Sequence, residues 1–339
     1  MFVLHSVNLG MNYRKFGQTD LEVSEIGFGA WAIGGDAKVG DTPIGWGPAD
    51  DNLSVKAIHA ALDAGINFFD TADFYGLGHS EDLLGKVLKG HKEAIIATKV
   101  GHRAIEQKIV LDYSKDYIIK ACEKSLRRLK TDVIDYYQLH SARLNHLDNG
   151  ECIEAMQTLV NQGKIRYWGL SLNTFNPAPE AELMIKNKWG HGFQLVFNLM
   201  NQRAYNIMQQ SAAEGYGIIA RMPLQFGLLT GKIAPETTFD KNDHRSFRLT
   251  PEIISATLKV LDEDVWPMIE EEMSKTSLAL SFILSCKEVS TVIPGIRTPG
   301  HVKQNTSGLK ILSAKDQQRL LQMAEEQWKP VLKMMEKQG

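Results

Sequence analysis

The sequence predicts one α/β domain of the (β/α)8 TIM-barrel class over residues 12–339, with an N-terminal hairpin, a long insertion after strand seven and an extra C-terminal helix. Two observations support this fold class. Short apolar segments of strand length alternate with amphipathic helical patterns, which predicts a parallel sheet. Eight such pairs can be counted, and eight units favour a closed barrel over an open, doubly wound sheet.

The N-terminal region contains the hairpin and the first unit. Residues 13–16 and 21–24 predict two short strands, which we expect to form a plug or a lid. Residues 26–30 predict strand one, and a helical spacing of apolar residues predicts a helix over 51–64. We expect residues 1–11 to be a disordered extension or, for residues 1–10, an artefact of an upstream start, because Met11 followed by the strand pattern NYRKFG is typical of a natural start.

The same alternation continues to the C-terminus. Strands two to eight are predicted at residues 67–70, 94–98, 133–139, 167–170, 193–197, 217–220 and 289–293. The helices between them are predicted at residues 81–88, 114–129, 152–161, 179–186 and 207–213. After strand seven we expect a long polar stretch and helices at residues 251–261, 265–275 and 278–286, and the C-terminal helix is predicted over residues 314–337.

Composition excludes several classes of function. With 38 basic and 40 acidic side chains the net charge is -2, so the sequence carries no basic footprint for nucleic acid or an anionic membrane. No apolar run approaches the roughly 20 residues that span a bilayer, and no signal peptide is apparent, so we expect a cytoplasmic protein. Cys122, Cys152 and Cys286 are far apart, which predicts neither a disulfide framework nor a zinc site, and no metal is expected.

Polar side chains end three successive predicted strands. Asp70 ends strand two and Tyr75 follows it, Lys99 follows strand three, and His140 follows strand four. Each has a simpler explanation when taken alone: a turn-capping aspartate, a solvated lysine, a buried structural histidine. Because the strand ends of a barrel surround one mouth, an acid, a phenol, an amine and an imidazole there favour an active site.

These four groups suit proton transfer to a carbonyl oxygen. A tyrosine with pKa near 10 is a poor donor at neutral pH, and the Lys99 ammonium is expected to lower the pKa of Tyr75. Asp70 would hold Lys99 protonated and oriented, while His140 would direct a substrate oxygen toward Tyr75. A reductase needs such a donor, with a hydride arriving from a cofactor.

The motifs DTADFYG, IIATKVG, DYYQLH and YWGLS resemble those of the aldo-keto reductases, and the similarity continues through FQLVFN, PLQFGLLTGK and IPGIRTPGHVKQN. It covers roughly residues 12–310. The resemblance implies an NADP(H)-dependent carbonyl reductase or alcohol dehydrogenase, with NADP(H) favoured over NAD(H). It also implies that Asp70, Tyr75, Lys99 and His140 form the catalytic tetrad, with Tyr75 as acid or base.

The resemblance further implies a set of cofactor-binding residues: Ser171, Asn173, Gln194, Arg221, Pro223, Leu224, Gly227, Leu229, Gly231, Lys232, Gly295, Arg297, His301, Gln304 and Asn305. Ser171 and Gln194 match residues that bind the nicotinamide carboxamide, and residues 224–232 match the pyrophosphate loop. Arg297 and Asn305 fall where the family binds the adenosine phosphate and the adenine. Arg221 stands where many relatives carry a stacking aromatic residue.

Three aromatic residues, Trp31, Trp46 and Phe74, are predicted to line the substrate pocket, although packing is an equally simple role for them. The charged segment 239–248 is predicted to close over the cofactor as a lid, with a solvated charge run as the alternative.

The predicted function is reduction of an aldehyde, ketone or sugar-like carbonyl to an alcohol. The alternative is a cofactor-binding regulatory or redox-sensor protein with slow turnover, as the resemblance to potassium-channel β subunits of the same family allows. A hydrolase on the same barrel would need paired carboxylates or a metal cluster, and neither is apparent. The expected partner is a small carbonyl or alcohol, and the sequence does not indicate an oligomer.

Overall fold

Eight parallel strands form the central sheet of the chain in a computed structural model, which describes residues 10–241, 243–271 and 273–338. This arrangement, with a helix after each strand, confirms the predicted (β/α)8 barrel. In chain order the barrel strands are Phe28–Gly29, Phe68–Asp70, Ile95–Val100, Ile134–His140, Ile165–Ser171, Gly192–Val196, Gly217–Arg221 and Thr291–Ile293.

Each barrel strand pairs with the next one along the chain, and strand one closes the barrel against strand eight. The backbone N–H of Gly27 donates to Val292 O at 2.8 Å, and that of Gly29 donates to Pro294 O at 3.0 Å. The two segments approach so closely that a Cβ atom on Gly29 would lie 2.7 Å from Pro294 O. Glycine at this position therefore permits closure of the barrel.

The helices bury one apolar face against the strands, as their sequence spacing predicts. In the helix after strand three the buried positions are Ile118, Ala121, Cys122, Ser125 and Leu129. The α-helices run over Asp51–Asp63, His79–Leu88, Lys115–Leu129, Leu144–Asn149, Glu151–Asn161, Ala178–Asn187, Tyr205–Ala213, Arg245–Arg248, Pro251–Val260, Lys275–Leu284, Pro299–Thr306, Ala314–Met323 and Lys329–Glu336. A π-helical turn, Ala324–Trp328, joins the last two into the C-terminal helix. None of the described helices is both long and apolar enough to cross a membrane.

The insertion after strand seven differs from its prediction. The helix predicted over residues 265–275 does not form. The helix Pro251–Val260 continues into a π-helical turn and then into the 3₁₀ turn Trp266–Met268. Pro267 has no N–H to donate and its ring clashes with a preceding carbonyl, so an α-helix cannot continue through it. The next helix, Lys275–Leu284, begins three residues earlier than predicted.

Two hairpins stand in the loops after strands one and three, and neither was predicted from the sequence. Their strands are Lys38–Val39 with Thr42–Pro43, and His102–Ile105 with Lys108–Leu111. The second hairpin turns at Glu106 and Gln107, which have φ values of 46° and 63°. Tight turns with positive φ usually carry Asn or Gly, so these two residues give no turn signal.

The predicted N-terminal hairpin forms from Tyr13–Lys15 and Glu22–Ser24. Phe16 between these strands is fully buried. Its ring fills the space beside Gly192 and Gly217, which begin strands six and seven and whose own Cβ atoms would lie within 2.7 Å of it. The hairpin therefore plugs the N-terminal end of the barrel, opposite the strand ends that carry the predicted tetrad.

Most of the predicted extension, residues 1–9, lies outside the described residues. Met11, the last residue of that predicted segment, packs against the hydrophobic core.

Candidate active site

A buried ion pair joins the ends of strands two and three. Lys99 is fully buried and Asp70 is 2% exposed, and Lys99 Nζ lies 2.6 Å from Asp70 Oδ2. Nζ also donates to Thr71 O at 2.8 Å. A lone charge in the interior would be strongly unfavourable, so each group requires the other.

The second carboxylate oxygen of Asp70 accepts two amide hydrogen bonds. Gln138 Nε2 donates to Oδ1 at 3.1 Å and Gln194 Nε2 donates at 2.7 Å. Gln138 was missed by the sequence reasoning, although a buried glutamine inside the apolar strand IDYYQLH was a usable signal. The Gln194 amide nitrogen, expected at the nicotinamide carboxamide, is engaged with Asp70.

The phenol of Tyr75 extends the ion pair toward the cavity. Lys99 Nζ lies 3.3 Å from Tyr75 Oη and 4.8 Å from the centre of its ring. The loop is fixed by Gly76, which has φ 63° and whose Cβ would meet Gly34 O at 2.2 Å. Any larger residue at this position would displace the catalytic tyrosine candidate from Lys99.

The pKa of the Tyr75 phenol is shifted upward, whereas a downward shift was expected. Burial raises the pKa of Tyr75 above its usual value of 10, and Asp70 acts in the same direction. The cations Lys99 and Arg221 oppose this shift but do not overcome it. The prediction of a lowered pKa was therefore wrong for this cavity, because desolvation of the phenolate outweighs the nearby positive charge. Tyr75 carries its proton at neutral pH.

The imidazole of His140 stands beside the tyrosine at the end of strand four. Its ring centre is 5.9 Å from that of Tyr75, edge-on, and 4.2 Å from that of His102. Burial holds the pKa of His140 well below 6.5, and neighbouring His102 and cationic side chains act in the same direction. The hydroxyl of Tyr113 donates to His140 O at 2.5 Å and fixes the strand end. His140 is therefore neutral.

One cavity of about 900 Å³ connects the predicted tetrad with the predicted cofactor residues. Its walls include these predicted site residues: Trp31, Trp46, Asp70, Phe74, Tyr75, His140, Ser171, Asn173, Gln194, Arg221, Pro223, Leu224, Gly227, Lys232, Gly295, Arg297, His301, Gln304 and Asn305. Three predicted residues do not line the cavity. Lys99 lies behind Tyr75, Leu229 is buried in the hydrophobic core, and Gly231 ends the 3₁₀ turn Gln225–Thr230 with φ 73°.

At the nicotinamide end predicted for the cavity, Ser171 is in register with Gln194 on the adjacent strand. Arg221 ends strand seven, and its Nη2 donates to Leu172 O and to Thr174 Oγ1, both at 3.1 Å. Arg221 Nε is buried and has no hydrogen-bond partner among the described residues. Nη1 donates to Met222 Sδ at 3.2 Å, so both terminal nitrogens of the guanidinium are held while Nε has no partner.

Asn173 contributes less than expected. Its side-chain oxygen accepts from the backbone N–H groups of Phe175 at 3.0 Å and Asn176 at 2.8 Å. The oxygen therefore stabilises its own turn, although the residue still lines the cavity.

The other end of the cavity carries two cations with neutral partners. Lys232 Nζ donates to Gln304 Oε1 at 2.9 Å, and Arg297 Nη2 donates to Pro48 O at 2.6 Å. No acidic side chain within the described ranges forms an ion pair with either cation. Asn305 Nδ2 is buried there without a hydrogen-bond partner in the same ranges. This end is chemically suited to an anionic ligand with a polar ring.

The wall above Tyr75 is aromatic. The ring of Trp31 stacks with Tyr75 at 5.9 Å and with His244 at 4.8 Å, and meets Trp46 edge-on at 5.4 Å. His244 belongs to the charged segment 239–248, which therefore packs against the cavity. A backbone bridge between Trp46 and Asp243 joins this segment to the loop after strand one. No motif in the sequence singled out His244.

Comparison with known proteins agrees with this architecture. The model of the aldo/keto reductase family matches residues 25–325. Aldo-keto reductase YhdN of Bacillus subtilis is 31% identical over 312 residues, covering 86% of this chain and 87% of the relative. The aldo-keto reductase AKR11C1 from Bacillus halodurans, in its holo form, superposes with a TM-score of 0.75 at 29% identity, over 94% of this chain and all of that chain.

A second solved structure, the glycerol dehydrogenase AKR11B4 from Gluconobacter oxydans, superposes with a TM-score of 0.74 at 29% identity, over 93% of this chain and 95% of that chain. The similarity thus spans nearly the whole barrel in each case. The resemblance that the motifs indicate is confirmed: this chain is an oxidoreductase that belongs to the aldo/keto reductase family.

Proposed function

We propose that this chain reduces an aldehyde, a ketone or a sugar-like carbonyl to an alcohol with NADPH, and that Tyr75 donates the proton. One observation carries this proposal: Asp70, Lys99 and Tyr75 form a continuous hydrogen-bonded chain that ends at the cavity wall. Relatives that include a glycerol dehydrogenase support a small hydroxylated compound as the substrate or product.

Each side chain of the predicted tetrad would have a separate role in carbonyl reduction. When bound, NADPH supplies the hydride that reduces the carbonyl carbon. Tyr75 gives its phenolic proton to the carbonyl oxygen, and the Lys99 ammonium stabilises the phenolate that remains. Asp70 orients Lys99. The neutral imidazole of His140 carries one N–H, which can donate to the same carbonyl oxygen and position it near Tyr75.

The residues of the cavity fit a dinucleotide phosphate. Lys232 and Arg297 are cations with neutral partners, and the buried Asn305 amide would gain a partner from a ring nitrogen of adenine. The start of the helix Pro299–Thr306, next to Arg297, also favours an anion. We infer that these two cations bind the 2′-phosphate of NADP(H), and that residues 224–232 follow the pyrophosphate.

The Arg297→Gln substitution is expected to raise the Kd for NADPH about tenfold or more, because a charge-assisted hydrogen bond to phosphate is lost. The Kd for NADH should change little, since it has no 2′-phosphate. Fluorescence titration with each cofactor measures both constants. Arg319→Gln, on the exposed face of the C-terminal helix, is the matched control. Equal weakening of NADPH and NADH would contradict the assignment of Arg297 to the 2′-phosphate.

The direct test of the activity follows NADPH absorbance with a panel of small aldehydes, ketones and sugars. We expect oxidation of NADPH with at least one member of the panel. Tight NADPH binding without oxidation by any member would instead favour the regulatory or sensor function.

The pH profile of carbonyl reduction is expected to be flat from about pH 6 to pH 9. The pKa of His140 is held well below 6.5, so the imidazole stays neutral over this range. The pKa of Tyr75 is raised above 10, so the donor keeps its proton until about pH 10 and activity falls only above that value. The measurement is kcat at saturating NADPH and carbonyl. An inflection near pH 6.5 would show that His140 titrates there.

A further inference from the structure

The imidazole of His244 lies in a box of three aromatic side chains. It is 2% exposed, stacks on Trp31 at 4.8 Å, and meets Trp46 at 4.5 Å and Phe226 at 5.2 Å edge-on. All four residues line the cavity that contains Tyr75. The Trp31 ring stacks with both His244 and Tyr75, so one indole ring connects the imidazole with the proposed proton donor.

The polar atoms of this box have no protein partner. Both ring nitrogens of His244 and Nε1 of Trp46 are buried, and none of the three forms a hydrogen bond with any described residue. Buried polar groups are nearly always hydrogen-bonded, because leaving one unpaired is unfavourable. Three such atoms on two residues that line one cavity indicate a ligand that supplies the missing partners.

The backbone around His244 is held in place. Asp243 forms a backbone bridge to Trp46, and its carboxylate accepts from Arg245 Nη2 at 2.6 Å. The guanidinium of Arg245 lies 5.2 Å from the Trp46 ring. Both neighbours of His244 are thus fixed beside Trp46, which holds the imidazole at the wall of the cavity.

The charge of the box indicates the chemistry of the ligand. Burial lowers the pKa of His244 to about 4, with the cations Arg248 and Arg245 acting in the same direction. The imidazole is therefore neutral at physiological pH, with one nitrogen that donates and one that accepts. A hydroxyl group also donates and accepts, and it is uncharged, so it suits an aromatic environment better than a carboxylate does.

We propose that His244 and Trp46 bind a hydroxyl group of the substrate at a carbon remote from the reacting carbonyl. The site would then select hydroxylated aldehydes and ketones over unsubstituted ones. This inference rests on the proposed carbonyl reduction and adds the residues that determine the substrate class.

The test compares glyceraldehyde with propanal, which share the aldehyde but differ in two hydroxyl groups. We expect the wild-type protein to prefer glyceraldehyde in kcat/KM. His244→Phe keeps an aromatic ring in the box and should reduce the glyceraldehyde-to-propanal ratio about three- to tenfold, the effect of one lost hydrogen bond. His244→Gln keeps a donor and an acceptor and should retain more of the ratio than His244→Phe.

His191→Phe is the matched control, because His191 packs against Tyr167 and does not line the cavity. The glyceraldehyde-to-propanal ratio of kcat/KM in His191→Phe should equal that of the wild type. An unchanged ratio in His244→Phe would overturn the proposal. A similar loss with both aldehydes, together with a higher Kd for NADPH, would also overturn it, because His244 would then bind the cofactor.

A binding measurement separates this inference from the proposed activity. Calorimetric titration of the NADP⁺ complex with glyceraldehyde requires no turnover. If the wild type oxidises NADPH with no member of the panel, the proposed function fails, yet weaker glyceraldehyde binding in His244→Phe than in His191→Phe would still support the hydroxyl site. Equal binding in both variants would refute it.

Discussion

Tyr75→Phe is expected to lower kcat for NADPH-dependent carbonyl reduction by a factor of about 10²–10⁴, the usual contribution of a positioned general acid. The substitution removes only the hydroxyl that lies 3.3 Å from Lys99 Nζ. The ring can remain stacked on Trp31, and Lys99 keeps its bonds to Asp70 and Thr71. The Kd for NADPH, measured by fluorescence titration, should therefore stay nearly unchanged.

Tyr216→Phe provides the control for this experiment. Its hydroxyl donates to Met184 O at 3.2 Å, and Tyr216 does not line the cavity. This variant should retain wild-type turnover. Full turnover in Tyr75→Phe would mean that another group supplies the proton, and the role assigned to Tyr75 would be refuted.

The sequence predicted the parts of the fold that depend on local periodicity. Strand and helix patterns are repeated within short windows, so the eight units and the C-terminal helix could be identified. Features that depend on an unusual backbone could not. The hairpin turn at Glu106 and Gln107 has positive φ without the residues that usually indicate it. The absence of an α-helix through Pro267 could have been predicted from the sequence, because proline is incompatible with a helix interior.

The candidate site also has features that could be predicted from the sequence and features that could not. The ends of strands two to four could be placed at one mouth, because barrel topology requires it. Lys99 was predicted as a partner of Asp70, but the two amide donors were not, since Gln138 and Gln194 are 68 and 124 residues distant from it in sequence. The direction of the Tyr75 pKa shift also depended on three-dimensional burial, which a sequence does not give.

Lys99→Met is expected to lower the free energy of unfolding by about 3–5 kcal/mol, the usual effect of removing one partner of a buried ion pair. Asp70 would keep its two amide donors but lose the cation 2.6 Å away. Chemical denaturation at pH 7–9 measures this loss. Turnover should fall as well, because the phenolate of Tyr75 would lose its stabilising charge. Unfolding at the wild-type denaturant concentration would contradict this role of the ion pair.

The stability lost in Lys99→Met is expected to depend on pH, and to become smaller at high pH. Burial alone would lower the pKa of Lys99, but Asp70 and Tyr75 outweigh it, so the pKa is raised in the folded protein. The ion pair then stabilises the fold fully below the unfolded pKa of about 10.4, and this contribution is lost as the pH rises through the folded pKa. The stability difference between wild type and Lys99→Met should be constant from pH 7 to pH 9 and decrease above about pH 10.4.

The double variant Asp70→Asn/Lys99→Met separates the structural role of the pair from its role in catalysis. Removing both charges removes the unpaired carboxylate, and the introduced amide oxygen can still accept from Gln138 and Gln194. Part of the lost stability should therefore return, giving a favourable coupling energy in the double-mutant cycle. Turnover should not return, because the cation 3.3 Å from the Tyr75 hydroxyl is absent. Recovery of stability without activity would show that the reaction requires the positive charge of Lys99. Recovery of both would mean that the ion pair matters only for folding.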